Sequence, residues 1–132
     1  MDFVSIRIIT GDVARLVDFY ERATSVQASW ANDDFAELRT ASATLAIAST
    51  RTVGLFAPGS AQPADNRSVI IEFRVEDVDS VHQNLTGFVE DFVNEPTTMP
   101  WGNRALLFRD PDGNLVNFFT PVTASAIEKF AR

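Results

Sequence analysis

Three charged side chains interrupt β-rich runs of this 132-residue sequence: Arg7, within Val4 to Thr10, and Glu72 and Arg74, within Val69 to Val75. Successive strand side chains point to opposite faces. Alternation therefore sets Phe3, Ser5, Arg7 and Ile9 against Val4, Ile6 and Ile8. In the second run it sets Ser68, Ile70, Glu72 and Arg74 against Val69, Ile71, Phe73 and Val75. The uniformly apolar sets belong under a helix, so the charged sets occupy the other face. An arginine there can hold a carboxylate or phenolate in fork geometry. Glu72 can hold an amine or serve as a general base. The alternative is that Arg7, Glu72 and Arg74 pair with one another and fix the sheets in register. Trp30, Phe35 and Trp101 fall near sheet rims, where they can stack on a planar ligand or fill a core or a dimer seam. Phe92 and Phe118 read as packing residues. The remaining inventory for chemistry is thin: there is no cysteine, and the one histidine, His82, falls on the sheet-facing side of a helix.

The elements that carry these residues occur twice. Asp12 and Asp77 stand 65 positions apart, each after an alternating run and before a helical pattern. Apolar residues at Val13, Leu16, Val17 and Tyr20, and at Val78, Val81 and Leu85 with His82 at the remaining offset, follow the i, i+3, i+4, i+7 spacing of a helix with one face on a sheet. Each Asp is suited to cap its helix by accepting an N–H of the first turn. The segments Leu38 to Leu45 and Phe108 to Leu115 both read strand, tight turn, strand. Asp110-Pro111-Asp112-Gly113-Asn114 has strong turn chemistry, since Pro presets φ and Gly accepts positive φ. Each copy is thus a βαβββ module and the chain is an α+β protein. The strands are expected at about 3–10, 26–31, 34–40 and 43–50, then 67–76, 88–94, 103–109 and 114–120. The helices are expected at 12–24 and 77–86. Residues 1–56 and 67–121 form the modules of a single domain, with 57–66 as linker and 122–132 as a short docked C-terminal helix.

The composition limits the classes of function. With 45% hydrophobic residues, eleven Phe and two Trp, the chain can build a substantial core. Absence of cysteine tilts the expectation toward a reducing cytoplasm. No 18-residue apolar run and no basic segment ahead of an apolar stretch is present, so neither a membrane span nor a signal peptide is expected. The net charge is −7, with one Lys and ten scattered Arg, which argues against nucleic acid as a partner. That acidity maintains solubility and also favours a cationic ligand.

The doubled module, the Asp12 and Asp18-Phe19-Tyr20 pattern, and Trp101-Gly102 followed by Phe108-Arg109-Asp110-Pro111-Asp112-Gly113-Asn114 resemble the vicinal oxygen chelate superfamily, the glyoxalase, bleomycin-resistance protein and extradiol-dioxygenase group. The resemblance spans about residues 3–121. It implies curved mixed sheets around a concave cavity, and a homodimer. Enzymes of that group hold a divalent metal with two His and two Glu on the first and last strands of each module. Carried over one at a time, these positions fall on Ser5, seven residues before Asp12, and on Ile70, three before Phe73. The others are Asn117, third after Asn114, and its counterpart 70 positions earlier, Ile47. None offers an imidazole or a carboxylate, so no metal and no cofactor is expected. The cavity face is expected to comprise Ser5, Arg7, Ile47, Ile70, Glu72, Arg74, Asn117 and Phe119, with Trp30, Phe35 and Trp101 as aromatic candidates.

The resemblance implies, first, a metal-free binder of a small apolar or aromatic molecule, and in one form the sequestration of an antibiotic. A flat, cationic ligand suits the acidic surface. A second reading is a metal-independent lyase or isomerase using Glu72 with Arg7 or Arg74. A third is a non-catalytic interaction module whose cup is filled by its own side chains.

Overall fold

A computed structural model describes residues 1–131 and divides into two compact units, residues 1–66 and Arg67 onward. The boundary falls where the second copy of the repeat begins. The first unit contains β1 (Ser5–Thr10), α1 (Val13–Thr24), β2 (Ser29–Asn32), β3 (Phe35–Arg39), β4 (Thr44–Ser49) and the short α2 (Thr50–Val53). The second contains β5 (Ile70–Arg74), α3 (Val78–Leu85), β6 (Thr97–Thr98), β7 (Asn103–Arg109), β8 (Leu115–Pro121) and α4 (Ala124–Lys129). Each unit builds one four-stranded mixed sheet, ordered β1-β4-β3-β2 and β5-β8-β7-β6. The first strand of each module runs parallel to the last, and the remaining pairs are antiparallel. No helix of the described residues is long and apolar enough to cross a membrane.

Local chemistry explains the helix starts. The Asp12 carboxylate accepts from the Arg15 amide at 3.1 Å, and the Asp77 carboxylate accepts from the amides of Asp79 and Ser80. In the first unit α1 buries Val13, Leu16, Val17, Phe19, Tyr20 and Ala23. The buried strand residues Ile8, Ala36, Leu38, Leu45 and Ile47 complete that core. In the second unit Phe118 meets Phe73 and Phe108 edge-on, with ring centroids 5.4 and 5.0 Å apart, a favoured aromatic geometry. His82 packs its ring on Phe92 at 5.2 Å, as a packing residue should.

One expected strand is largely absent. Residues 88–94 make only a bridge between Phe92 and Phe108, and the two-residue β6 lies further on. The Val93 amide donates to the Leu107 carbonyl and the Arg109 amide to the Asp91 carbonyl, so the segment follows β7 without forming a ladder. Asn94 ends the pairing by side-chain substitution: its Oδ1 accepts from the Leu107 amide at 2.7 Å, and its Nδ2 donates to the Ala105 carbonyl at 3.2 Å. A polar side chain taking over ladder bonds is invisible to hydrophobic periodicity.

Candidate functional site

Residues paired across a ladder share a face, so the registers define the sheet face turned away from the helix. In the second unit β5 pairs Ile70 with Leu115, Glu72 with Asn117 and Arg74 with Phe119. On the other side of β8, Leu107 faces Asn117 and Ala105 faces Phe119. Ile70, Glu72 and Arg74 are exposed while Ile71 is buried, as the alternation requires. Glu72 and Asn117 meet directly: Asn117 Nδ2 donates to Glu72 Oε2 at 2.8 Å. That bond sets the amide, because the reverse orientation would aim its oxygen at a carboxylate. Asn117 Oδ1 is then buried with no hydrogen-bond partner among the described residues.

The arginines on this face are engaged elsewhere. Arg74 Nη1 donates to the Phe130 carbonyl, and Arg109 Nη1 to the Gly113 carbonyl at 3.0 Å. No salt bridge among the described residues involves Glu72. Within the second unit, Glu72 and Arg74 are therefore not paired with each other. At the far end of the face Phe119 lies under Phe130, with centroids 5.1 Å apart. The α4 segment crosses there, leaving an open cleft of about 430 Å³ between Arg74, Thr120, Pro121, Ile127 and Phe130.

In the first unit the corresponding face carries Ser5, Arg7 and Ile9, paired with Thr44, Ala46 and Ala48, and then Phe35 and Glu37 of β3. The Arg7 guanidinium lies over Phe35 at 5.0 Å from the ring centroid and over Phe56 at 5.9 Å, a cation–π clamp. Phe56 lies beyond what alternation predicts, since a strand over 43–50 gives no sign of the α2 turn that follows β4. The available signal was Ser49, whose hydroxyl accepts from the Arg51 amide and caps α2.

Two expected site residues lie elsewhere. Ile47 pairs with Ile8 and is fully buried on the helix-facing side, and the position matching Asn117 is Ala46. The cause is turn length: Arg39 pairs with Thr44 across four residues, whereas Arg109 pairs with Leu115 across five. That one-residue difference reverses the face of every later side chain. Trp30 pairs with Ala36 and so lies on the face opposite to Phe35, on the edge strand β2. Trp101, 67% exposed, precedes Gly102 in the turn before β7.

The sequence model of the Glyoxalase/Bleomycin resistance protein/Dioxygenase superfamily matches residues 2–118. The chain belongs to this superfamily. The uncharacterized protein YraH of Bacillus subtilis is 24% identical over 125 residues, covering 90% of this chain and 98% of that one. A crystal structure of a glyoxalase/bleomycin resistance protein/dioxygenase family enzyme from Burkholderia phytofirmans superposes with a TM-score of 0.80 at 16% identity, covering 92% of this chain and all of that one. A protein of unknown function from Agrobacterium tumefaciens gives 0.79 at 24% identity, covering 91% and 94%. These likenesses show the glyoxalase/bleomycin-resistance-like fold.

The metal that glyoxalase-superfamily enzymes use does not fit the donors present. The register corrects the inherited positions to Ser5 and Ala46 in the first unit and Ile70 and Asn117 in the second. These supply a hydroxyl, a methyl, an aliphatic chain and an amide whose nitrogen is committed to Glu72. No group of three or more His, Cys, Asp or Glu placed to hold a metal occurs among the described residues. Divalent ions need imidazole, thiolate or carboxylate donors in such a group.

Proposed function

We propose that this member of the glyoxalase/bleomycin resistance superfamily is a binding protein, which takes up a small apolar or aromatic molecule, without a metal, on the sheet faces turned away from α1 and α3. Cytoplasmic sequestration of an antibiotic is the biological form of that activity, and the working species is a homodimer. The observation that carries the reading is the donor set at the four inherited metal positions: Ser5, Ala46, Ile70 and Asn117. What surrounds them suits ligand capture. The faces are mostly apolar with a few polar groups, as small-molecule sites usually are. They offer Phe35 and Phe56 beside Arg7 in one unit, and Ile70, Leu107 and Leu115 beside Glu72 and Asn117 in the other.

A thermal-shift screen with divalent metals in one arm and planar antibiotics, aromatic acids and aromatic amines in the other tests this. A ligand that binds only the folded state stabilises it by about 2.7 kcal/mol at a hundred times its dissociation constant. The expected result is a rise in Tm with one organic class and none with Zn²⁺, Ni²⁺ or Mn²⁺. A metal-induced rise abolished by Asn117→Ala would overturn the metal-free reading. Turnover that survives a chelator and is lost in Glu72→Gln would replace binding by metal-independent catalysis.

A further inference from the structure

The open cleft beside α4, about 430 Å³, falls in the range of about 300–1,000 Å³ that small molecules occupy. It lies at the end of the sheet face that carries Glu72, since Arg74 pairs with Phe119 and Phe119 lies under Phe130. Pro121, Ile127 and Phe130 give it a hydrocarbon wall. Its neutral polar groups are already satisfied. Thr120 Oγ1 donates to the Val75 carbonyl and accepts from the Val78 amide, both at 3.0 Å, and the Phe130 carbonyl accepts from Arg74 Nη1. Two charges are not. Arg74 gives one N–H to that carbonyl, and its other donors have no acceptor among the described residues. Glu76 also lines the cleft, is exposed, and has neither a hydrogen-bond donor nor an ion-pair partner among the described residues. The Val75 amide donates to the Phe119 carbonyl at 2.9 Å, so extended pairing runs past the end of β5. Residues two apart on such a chain lie on one side, roughly 6.6 Å apart. Arg74 and Glu76 are so placed, and no salt bridge joins them.

We infer that this cleft binds a free apolar α-amino acid as its zwitterion, with the carboxylate on Arg74, the ammonium on Glu76 and the side chain on Ile127 and Phe130. The inference rests on the protein being a small-molecule binder and names a ligand class. Both charges are exposed, so the ligand reaches them directly. The zwitterion brings acceptors to the guanidinium donors and N–H donors to the carboxylate, from two groups on one carbon. A simple anion meets Arg74 but sets its charge beside Glu76, and a simple cation meets the reverse. A net anion is also repelled by a protein of charge −7, whereas a zwitterion carries no net charge. The hydrocarbon wall favours an apolar side chain, which glycine lacks.

The test is an NMR titration of the full chain with L-phenylalanine, glycine, phenylacetate and 2-phenylethylamine, read at the backbone amides. Phenylalanine is expected to shift the amides of Val75, Glu76, Ile127 and Phe130, and to bind about tenfold or more tightly than any of the others. Glu76→Gln changes an exposed side chain and retains the fold; it is expected to weaken phenylalanine about tenfold and leave phenylacetate no weaker. Arg74→Lys keeps a donor for the Phe130 carbonyl but loses the fork. It is expected to weaken phenylalanine and phenylacetate but not 2-phenylethylamine. Should that variant unseat α4, seen as faster hydrogen exchange over 124–131, Glu76→Gln decides alone. Equal affinity for phenylalanine and phenylacetate, or undiminished affinity in Glu76→Gln, overturns the inference. Shifts confined to Ile70, Leu107 and Asn117 also overturn it while leaving a small-molecule binder. If phenylalanine does not bind, the amino-acid cleft is rejected, and the thermal screen decides the binding reading separately.

Discussion

Asn117 is held by one bond and penalised at its other end. Leaving a polar group buried without a partner costs about 1–3 kcal/mol. Replacing Asn117 by Leu removes the orphaned oxygen and returns Glu72, itself exposed, to water. The ligand-free Asn117→Leu protein is therefore expected to be as stable as the wild type or up to about 2 kcal/mol more so, measured by urea unfolding. A loss of stability would mean that the amide contributes more through Glu72 than its oxygen forfeits. A second residue-scale effect concerns acid. Arg104 makes a forked contact to Asp79, with Nε to Oδ2 at 2.8 Å and Nη2 to Oδ1 at 3.0 Å, and this hydrogen bonding lowers the Asp79 pKa below its ordinary value of 3.8. A carboxylate with a depressed folded-state pKa stabilises the fold above its unfolded value, and that contribution disappears as pH falls through the folded value. Asp34 beside Arg51 behaves alike. Urea midpoints should thus drop below about pH 4, and Asp79→Asn should flatten part of that drop. Both pairs are solvent-exposed, so the effect is small. At this scale the sequence was legible as far as alternation reaches: Glu72, Asn117, Ile70 and Phe119 share a face as expected. That Glu72 and Asn117 bond to each other needed the β5–β8 register, which alternation within a strand does not supply.

Elements were legible where local chemistry determines them. The Asp caps, the amphipathic helices and the Asp110-Pro111-Asp112-Gly113-Asn114 turn follow from side chains that bond their own backbone. Asp110 Oδ1 accepts from the amides of Asp112 and Asn114, both at 2.9 Å, and Oδ2 accepts from Asn114 Nδ2 at 2.8 Å. Asp110 is also buried, so Asp110→Ala should destabilise the protein by about 3 kcal/mol, seen as a lower urea midpoint. Turn length was the weak point. Matching this five-residue turn to the four residues after Arg39 put Ile47 on the wrong face, and only pairing partners reveal such a slip. The seat of α4 was not legible either. Gly102 has φ +96°, and a Cβ there would come within 2.0 Å of Thr123 Oγ1 and 2.9 Å of the Ala126 Cβ. Its carbonyl accepts from the amides of Val122 and Thr123. Gly102→Ala is accordingly expected to unseat α4, raising hydrogen exchange in residues 124–131 and uncovering Phe119 while β7 and β8 stay protected.

Across the whole molecule the two copies of the module differ in the charge they carry on matching strands. Positions 65 apart carry opposite charges: Arg7 is clamped by Phe35 and Phe56, whereas Glu72 is partnered by an amide. Similar β-rich starts thus carry two chemically different faces, one cationic and aromatic, the other anionic and aliphatic. Each sheet also keeps its first strand at an edge, β1 in one and β5 in the other. The residues leading into β1 are apolar: Phe3, 82% exposed, and Val4, 67% exposed, precede the strand, and Ile6 lies within it. An exposed, apolar edge strand invites pairing with another chain, and natural proteins ordinarily blunt it with charge or cover it. No Lys or Arg intervenes between Met1 and Ile6, so covering by a second copy is the expected solution. A stable interface needs about 1,600 Å² of buried surface, more than these three side chains provide alone, so they would form only part of the seam. Light scattering on the eluted protein should therefore give twice the chain mass of 14.6 kDa. Ile6→Lys, which puts a charge at the edge without touching Glu72 or Asn117, should shift the population toward monomer at low micromolar concentration. A wild-type protein that elutes as a monomer at all concentrations would mean that the β1 edge is tolerated bare, and would remove the homodimer from the binding mechanism.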